Sequence, residues 1–262
     1  METIVTKDKV ANQFDKMSVE YATSLSQSTG FDLEILIRLL APSPGMEVLD
    51  IATGAGNTAA AIAPFVKNVT AIDLSSQMIE RTRELCDERG LKNVKYMVMD
   101  AENLDFGAGI FDAVTCRIAP HHFLDVPKAI SEVARVLRKG GKFILIDSFS
   151  PYTNDLDNFI NQLERLRDPT HVRSYSAVEW RKFLISGGLV TKTTLTYRKS
   201  HRIEGWIRRA GAVSRRNSIM DYVKGASNSA KEYFEISYDK EGEPLTYTDD
   251  KIILSATNET DE

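Results

Sequence analysis

Between residues 46 and 150 the chain alternates short apolar runs with amphipathic stretches. MEVLDIA reads as a strand and NTAAAIAPF as a helix that closes near Pro64. NVTAIDL is a second strand, and SSQMIERTRELCDERG a helix with Ser75 as its N-cap and Gly90 as its stop. NVKYMVMDA and FDAVTCRIA predict two more strands. VPKAISEVARVLRKGG then predicts a helix with basic residues and glycines at its C-terminal end, and KFILIDSFS a fifth strand. Such alternation implies a mainly parallel sheet covered on both faces. After residue 150 the rhythm changes. DLDNFINQLERLRD and SAVEWRKFLISGG read as helices, LVTKTTLTYR as a strand, and EGWIRRAGAV and RRNSIMDYVKGASNSAKEYF as polar helical stretches. The end, FEISYDKEGEPLTYTDDKIILSAT, predicts two strands joined by a glycine-containing turn.

No linker separates these stretches, so the expectation is one α/β domain over 1–262. Within it, 1–45 forms an N-terminal helical lid, 46–150 a ligand-binding core, 151–235 a helical insertion on the substrate side and 236–257 the C-terminal strands. Composition narrows the class of partner. Hydrophobic residues make up 42% and charged residues 27%, with a formal net charge of -4, which argues against broad polyanion binding. No basic groove interleaved with aromatic residues points to nucleic acid. The two cysteines, Cys86 and Cys116, are too few for a disulfide framework and are expected on a helix and in a core strand. METIVTKDKVANQF lacks the apolar core of a signal peptide, and no run approaches the roughly 20 apolar residues that span a bilayer. A cytoplasmic protein without a membrane span is expected. His and Cys spacing for a metal is absent, and no heptad pattern fixes an oligomeric state.

The candidate chemistry begins with VLDIATGAGNTAAAIA, in which an apolar strand ends at Asp50 and glycines follow at Gly54 and Gly56. In a parallel sheet, ligands bind beyond the carboxyl ends of the strands where strand order reverses. Glycines without a Cβ let backbone approach a ligand, and Asp73, ending the next strand, is placed to accept from ribose hydroxyls. GAGNTA also fits the dinucleotide pattern G-x-G-x-x-A, so an NAD-dependent oxidoreductase is the alternative enzyme. Three features discriminate. Asp50 would gain a pyrophosphate nothing but suits a cationic amino-acid group. MDAENL puts Asp100 at a third strand end, within reach of an adenine amino group. The two strands that end the chain do not repeat a first nucleotide-binding half.

VLDIATGAGNTA, AIDLSSQMI, MDAENLDF, FDAVTCRIAPHHFLD and ARVLRKGGKFILID together resemble the successive motifs of class I S-adenosylmethionine-dependent methyltransferases. The resemblance is to the UbiE-related group of ubiquinone and menaquinone biosynthesis, and more closely to the YcgJ-like branch, which RLRDPTHVRSYSAVEW resembles in particular. It implies a three-layer Rossmann-like fold with a seven-stranded sheet whose last strand is antiparallel. It also implies S-adenosyl-L-methionine as cofactor and S-adenosyl-L-homocysteine as product. The cofactor would lie across Ala52, Thr53, Gly54 and Gly56, with its ribose on Asp73, its adenine near Leu74, Met78, Asp100 and Ala101, and its methionine end supported by Asp50. Ala52-Thr53 departs from the glycine or cysteine of many relatives. Plainer roles stay open: Asp50 as a helix cap, Met78 as core and Asp100 as a turn former.

Methyl transfer from a sulfonium is an in-line displacement in which a protein supplies alignment and dehydration, and an acceptor proton needs a base. RIAPHHF places Arg117, His121 and His122 beyond the fourth strand in a chain with only four histidines. An imidazole there suits a general base or acceptor clamp, with His122 preferred over His121. The bland alternative has one histidine bonded to backbone and the other in solvent. Arg117 is expected to meet either an anionic ligand group or a structural acid. VANQFDKMSVEYATS puts Phe14, Met17 and Tyr21 at helical spacing, and the resemblance makes them a lid with Tyr21 lining the donor site. Arg-rich 165–173 and 208–216 are read equally as anion walls and as solvated helix faces. The expected reaction is methylation of a small-molecule acceptor at C, O, N or S. A non-catalytic S-adenosylmethionine-binding regulator is the second alternative.

Overall fold

A computed structural model describes residues 4–22 and 30–259, the side chains of 18–22 excepted. Helices α1 (Lys7–Ala22) and α2 (Phe31–Leu40) precede the sheet. The alternating half runs β1 (Glu47–Ile51), α3 (Asn57–Ile62), β2 (Asn68–Asp73), α4 (Ser76–Glu88), β3 (Val94–Val98), β4 (Phe111–Arg117), α5 (Val126–Val136) and β5 (Leu137–Phe149). Then come α6 (Asn154–Arg167), α7 (Ala177–Ser186), β6 (Val190–Arg202), α8 (Ile203–Arg209), α9 (Arg216–Lys224), α10 (Asn228–Tyr233), β7 (Ser237–Tyr238) and β8 (Pro244–Thr257). The strands order β3-β2-β1-β4-β5-β8-β6, with β7 added beside β8. Pairs among β1 to β5 are parallel, and β8 runs antiparallel to both β5 and β6. The Rossmann-like plan with a reversed last strand therefore holds, and the two-residue β7 is an addition to it.

Period-two burial builds the layers. In β5, Phe143 and Leu145 pack with α5 and α7, while Ile144 and Ile146 pack with α2 and α3 on the other face. A third cluster, around Phe159, Trp206, Ile219, Phe234 and Tyr247, joins α6 and α8 to α10 with β8. Residues 151–235 are thus two helical groups with β6 between them. Cys86 and Cys116 are buried and free.

Two boundaries differ from the expected pattern. The helix expected to reach Gly141 stops at Val136, and Leu137 already pairs with Phe111. The last carbonyls of α5 are taken from outside. Asn258 Nδ2 donates to Ala134 and Leu137, and the Gly109 and Ile110 N–H groups donate to Arg135 and Val136. The long polar stretch 215–234 breaks at Gly225, after which Ser227 caps α10 by accepting from the Ala230 N–H.

Candidate functional site

Strand order reverses at β1, which pairs with β2 on one side and β4 on the other, so the crevice beyond these strands is where such sheets hold ligands. A cleft with about 990 Å³ of empty space, its solvent mouth included, opens there. The turn after β1 contributes Ala52, Thr53 and Gly54, the end of β2 contributes Asp73 and Leu74, and α4 contributes Met78. Met99 to Glu102 line it after β3, Arg117 to Ala119 after β4, and His122 to Leu124 beyond those. Lys7, Val10, Ala11 and Phe14 of α1 complete the lining.

The glycine turn is fixed by hydrogen bonds. Thr53 donates from its backbone N–H to Ile72 O at 2.9 Å and from Oγ1 to Asp50 Oδ2 at 2.6 Å. Thr115 Oγ1 donates to the other Asp50 oxygen at 2.6 Å. Asp50 is therefore a buried brace behind the turn, outside the cleft lining, and it does not cap α3. Burial pushes its carboxyl up to about 6 against the pull of the two hydroxyls and Arg117. Thr53, the departure noted in the sequence, is the residue through which Asp50 holds the turn.

The two glycines do different work. Gly54 has φ 58° and faces open space, with no atom within 4 Å of where a Cβ would stand. Gly56, at φ 83°, does not line the cleft, and a Cβ there would meet Thr82 Cγ2 at 2.6 Å. It is the close-packing glycine between the turn and α4. Ala52, at φ 52°, and Ile118, at φ 56°, both line the cleft in the left-handed region. For a β-branched residue that conformation is a clear outlier.

Asp73 accepts from the Gly54 N–H and the Ser75 N–H, each at 2.9 Å. The Leu74 N–H also bonds this carboxylate, which lines the cleft. Burial raises this carboxyl to about 6, with the N–H donors opposing. Ser75 caps α4 as expected, accepting from the Met78 N–H at 3.0 Å, which puts Met78 both in the core and on the cleft. Asp100 and Ala101 line the cleft beside them, and Asp100 Oδ1 accepts from the Glu102 N–H at 2.9 Å. Lys7 of α1 pairs with Asp100 and, at 2.7 Å, with Glu102. Asp15 of α1 also accepts from Ser75 Oγ, so α1 is tied to the cleft at two points. Position alone gave Lys7 and Glu102 no signal in the sequence. Tyr21 belongs to α1, but its side chain lies outside the described residues.

Past β4, Arg117 lines the cleft and donates from Nε to Asp32 of α2 at 2.7 Å, with both side chains buried. The histidines separate sharply. His121 does not line the cleft; its Nδ1 is 2.6 Å from Asp147 Oδ1, and its N–H donates to Asp147 Oδ2. Burial opposes its charge, but Asp147 wins and raises its pKa. His122 is buried at the cleft, edge-on to Phe14 at 4.9 Å. Its Nδ1 is 3.0 Å from the Thr170 carbonyl, which only accepts, so the ring proton belongs on Nδ1. Burial and neighbouring His121 lower its pKa to about 4. Asp147 was missed in the sequence, although LIDSF offers an acid at a strand end as Asp50 and Asp73 do. Of the Arg-rich stretches, Arg173 pairs with Asp157 and Glu179, and Arg215 donates to the Leu166 and Arg167 carbonyls. Among the described residues, no group of three or more His, Cys, Asp or Glu is arranged to hold a metal, and no helix is long and apolar enough to cross a membrane.

The comparisons bear on family and fold. Residues 49–145 match the methyltransferase domain model. The uncharacterized methyltransferase YcgJ of Bacillus subtilis (strain 168) is 35% identical over 92% of this chain and 96% of its own. This chain belongs to the class I methyltransferases. The crystal structure of the B. subtilis YcgJ protein superimposes with a TM-score of 0.85, covering 88% of this methyltransferase and 99% of that chain. The ubiquinone/menaquinone biosynthesis C-methyltransferase UbiE of Zymomonas mobilis is 30% identical over 53% of this chain and 56% of its own. Family membership sets the oxidoreductase alternative aside.

Proposed function

We propose that this methyltransferase transfers the methyl group of S-adenosyl-L-methionine to a small organic acceptor. The observation that carries the reading is the open space over Gly54 beside a carboxylate, Asp73, that lines the same cleft. A backbone without a Cβ and an acid at that point fit a nucleoside: Asp73 would take the ribose hydroxyls, and Leu74, Met78, Asp100 and Ala101 would flank the adenine. The methionine end would lie by Ala52 and Thr53, with Arg117 toward its carboxylate. When bound, the sulfonium supplies an already activated methyl group, so the protein's work is alignment and exclusion of water.

In this reading α1 is the lid, because Lys7, Val10, Ala11 and Phe14 shut the cleft from above. Residues 151–235 form the acceptor side. His122 orients the acceptor or takes its proton: with Nδ1–H committed to Thr170, its Nε2 keeps the lone pair. His121, its charged form favoured by Asp147 against burial, positions the loop rather than acting as a base. The reaction belongs in the cytosol, in keeping with two buried free thiols.

The test is incubation with methyl-labelled S-adenosylmethionine and a fractionated cell extract, following label into small molecules, protein and nucleic acid, with Asp73→Ala as control. Enzyme-dependent label in the small-molecule fraction is the expected result. Donor binding without transfer into any fraction would instead make the chain a binding regulator.

A further inference from the structure

A second group of polar side chains lies outside the donor cleft, on the far half of the sheet. Across β6 and β8, Tyr197 faces Lys251, Lys199 faces Asp249 and His201 faces Tyr247. Alternate residues of a strand share a face, so all six project to one side. Lys251 donates to Asp249 at 2.8 Å and to Ser148 Oγ at 2.7 Å. Arg117, on the cleft, is matched by Asp32. Lys199 belongs to neither pair, and among the described residues it has no hydrogen-bond or ion-pair partner. The Tyr247 hydroxyl is also buried without a hydrogen-bond partner among the described residues, whereas His201 Nε2 and Asp249 Oδ1 meet at 3.1 Å. Buried polar atoms are paired in the great majority of cases, so an orphaned hydroxyl near an unmatched lysine marks a place completed by something else.

Charge says what that something is. Lys251, Asp32, Asp249 and Arg117 are the charged groups that act most strongly on Lys199. Around Tyr247 the carboxylates are Glu164 and Asp249 and the cations Arg167 and Arg209. Burial keeps His201 below its usual range, hence neutral at physiological pH. Asp32 is taken by Arg117, Glu164 by Arg167 and Asp249 by Lys251, so none of these carboxylates is left over for Lys199. Burial and neighbouring Lys251 also lower the Lys199 pKa, the strain an incoming anion relieves. Beside them Phe31, 63% exposed, stands edge-on to Tyr197 at 6.0 Å and offers an apolar surface. Arg117 belongs to both places, lining the cleft and acting on Lys199.

Building on the donor reading above, we propose that the methyl acceptor is a small anion on an apolar body, a carboxylate or phosphate ester, anchored by Lys199 and flanked by Phe31 and Tyr197. The full chain, saturated with S-adenosylhomocysteine so that the donor cleft is filled, is titrated calorimetrically with benzoate, phenyl phosphate, benzamide and benzylamine. Benzoate or phenyl phosphate is expected to bind, and the neutral and cationic probes not to. Lys199→Met is expected to weaken the anion by about tenfold or more, as loss of a charge-assisted bond implies, with Lys199→Arg restoring most of it. Tyr247→Phe, which keeps the ring's packing, is expected to weaken it a few-fold. S-adenosylhomocysteine affinity is measured for every variant and serves as the folding control. If the chain does not bind S-adenosylhomocysteine, the donor reading fails. If it does, but no anion binds, or benzamide binds as well as benzoate, or Lys199→Met binds as the parent does, the acceptor proposal is overturned alone.

Discussion

The two halves of the sheet hold their polar groups by different means. At the ends of β1 and β2 the partners are the adjoining turns: Asp50 with Thr53, and Asp73 with Ser75 and Gly54. On the other half the partners come from distant chain, Asp147 with His121, Lys251 with Ser148 and Arg117 with Asp32. Backbone N–H groups that hold a carboxylate stay in place when it is removed. A buried cation whose carboxylate is removed has nowhere to go. The first half should therefore tolerate loss of an acid and lose ligand affinity, whereas the second should lose the fold.

The largest effect tests the second half. Asp249 is 2% exposed, and although burial works against its charge, Lys251 and His201 hold its carboxyl well below the usual range. Asp249→Ala leaves Lys251 buried and uncompensated, which costs about 3–5 kcal/mol of stability. Urea denaturation checks it; a loss below about 1 kcal/mol would mean that the charges on this face are wetter than their burial indicates. Asp73→Ala is the counterpart. If Asp73 holds the ribose as proposed, this removes two charge-assisted bonds, so S-adenosylhomocysteine affinity should fall by about 100-fold, or roughly 3 kcal/mol, while the denaturation midpoint hardly moves. Equal losses of stability in the two variants would erase the distinction between the halves.

The same contrast explains what was legible in the sequence. Asp50, Asp73, Ser75 and the glycine turn could be read because their partners sit on local, recurrent backbone geometry. Alternating hydrophobicity likewise marked the layers. Lys7 on Asp100, Asp147 under His121 and Ser148 on Lys251 were not legible, since nothing in a strand's own pattern states which side chain arrives from a distant element. The end of α5 was misjudged for the same reason: Asn258, far along the chain, takes its carbonyls. Gly54 and Gly56 read alike in sequence, and only Thr82 tells them apart.

That pair gives the next test. Gly56→Ala forces a Cβ to 2.6 Å from Thr82 Cγ2 and 2.9 Å from its Cα, at φ 83°. Overpacking and left-handed strain together cost about 2–4 kcal/mol of stability. Gly54→Ala meets no atom and costs only the left-handed strain, about 1–2 kcal/mol, but its methyl group enters the space proposed for the donor. Thermal denaturation and S-adenosylhomocysteine titration on both variants should therefore rank them in opposite orders.

A smaller effect is expected from pH. Burial raises the Asp73 carboxyl to about 6, and ribose hydroxyls held there, as proposed, would prefer the carboxylate. S-adenosylhomocysteine affinity should thus be flat above about pH 7 and fall below about pH 6 by at most tenfold per unit. Asp73→Asn should abolish that slope. Asp50 also titrates near 6, but it only braces the turn and acts on stability with the opposite sign. Its folded pKa is raised, so between about 4 and 6 the native chain holds the extra proton, and stability from this group is lost as pH rises through about 6. A binding slope that survives Asp73→Asn would move the ribose away from Asp73.

The smallest effect asks what keeps the glycine turn open. Ala52 sits at φ 52°, where a Cβ costs about 1–2 kcal/mol, and a glycine there forfeits about 0.4–1 kcal/mol through its freer unfolded chain. Ala52→Gly should stabilise the chain by about 1 kcal/mol or less, read from denaturation midpoints. Its effect on S-adenosylhomocysteine affinity then separates two causes. Unchanged affinity assigns the turn's shape to Thr53, clamped by its N–H on Ile72 and its hydroxyl on Asp50. Weaker affinity in a more stable protein would mean that the clamp is insufficient, and that the strained alanine holds the backbone ready for its ligand at a cost to the fold.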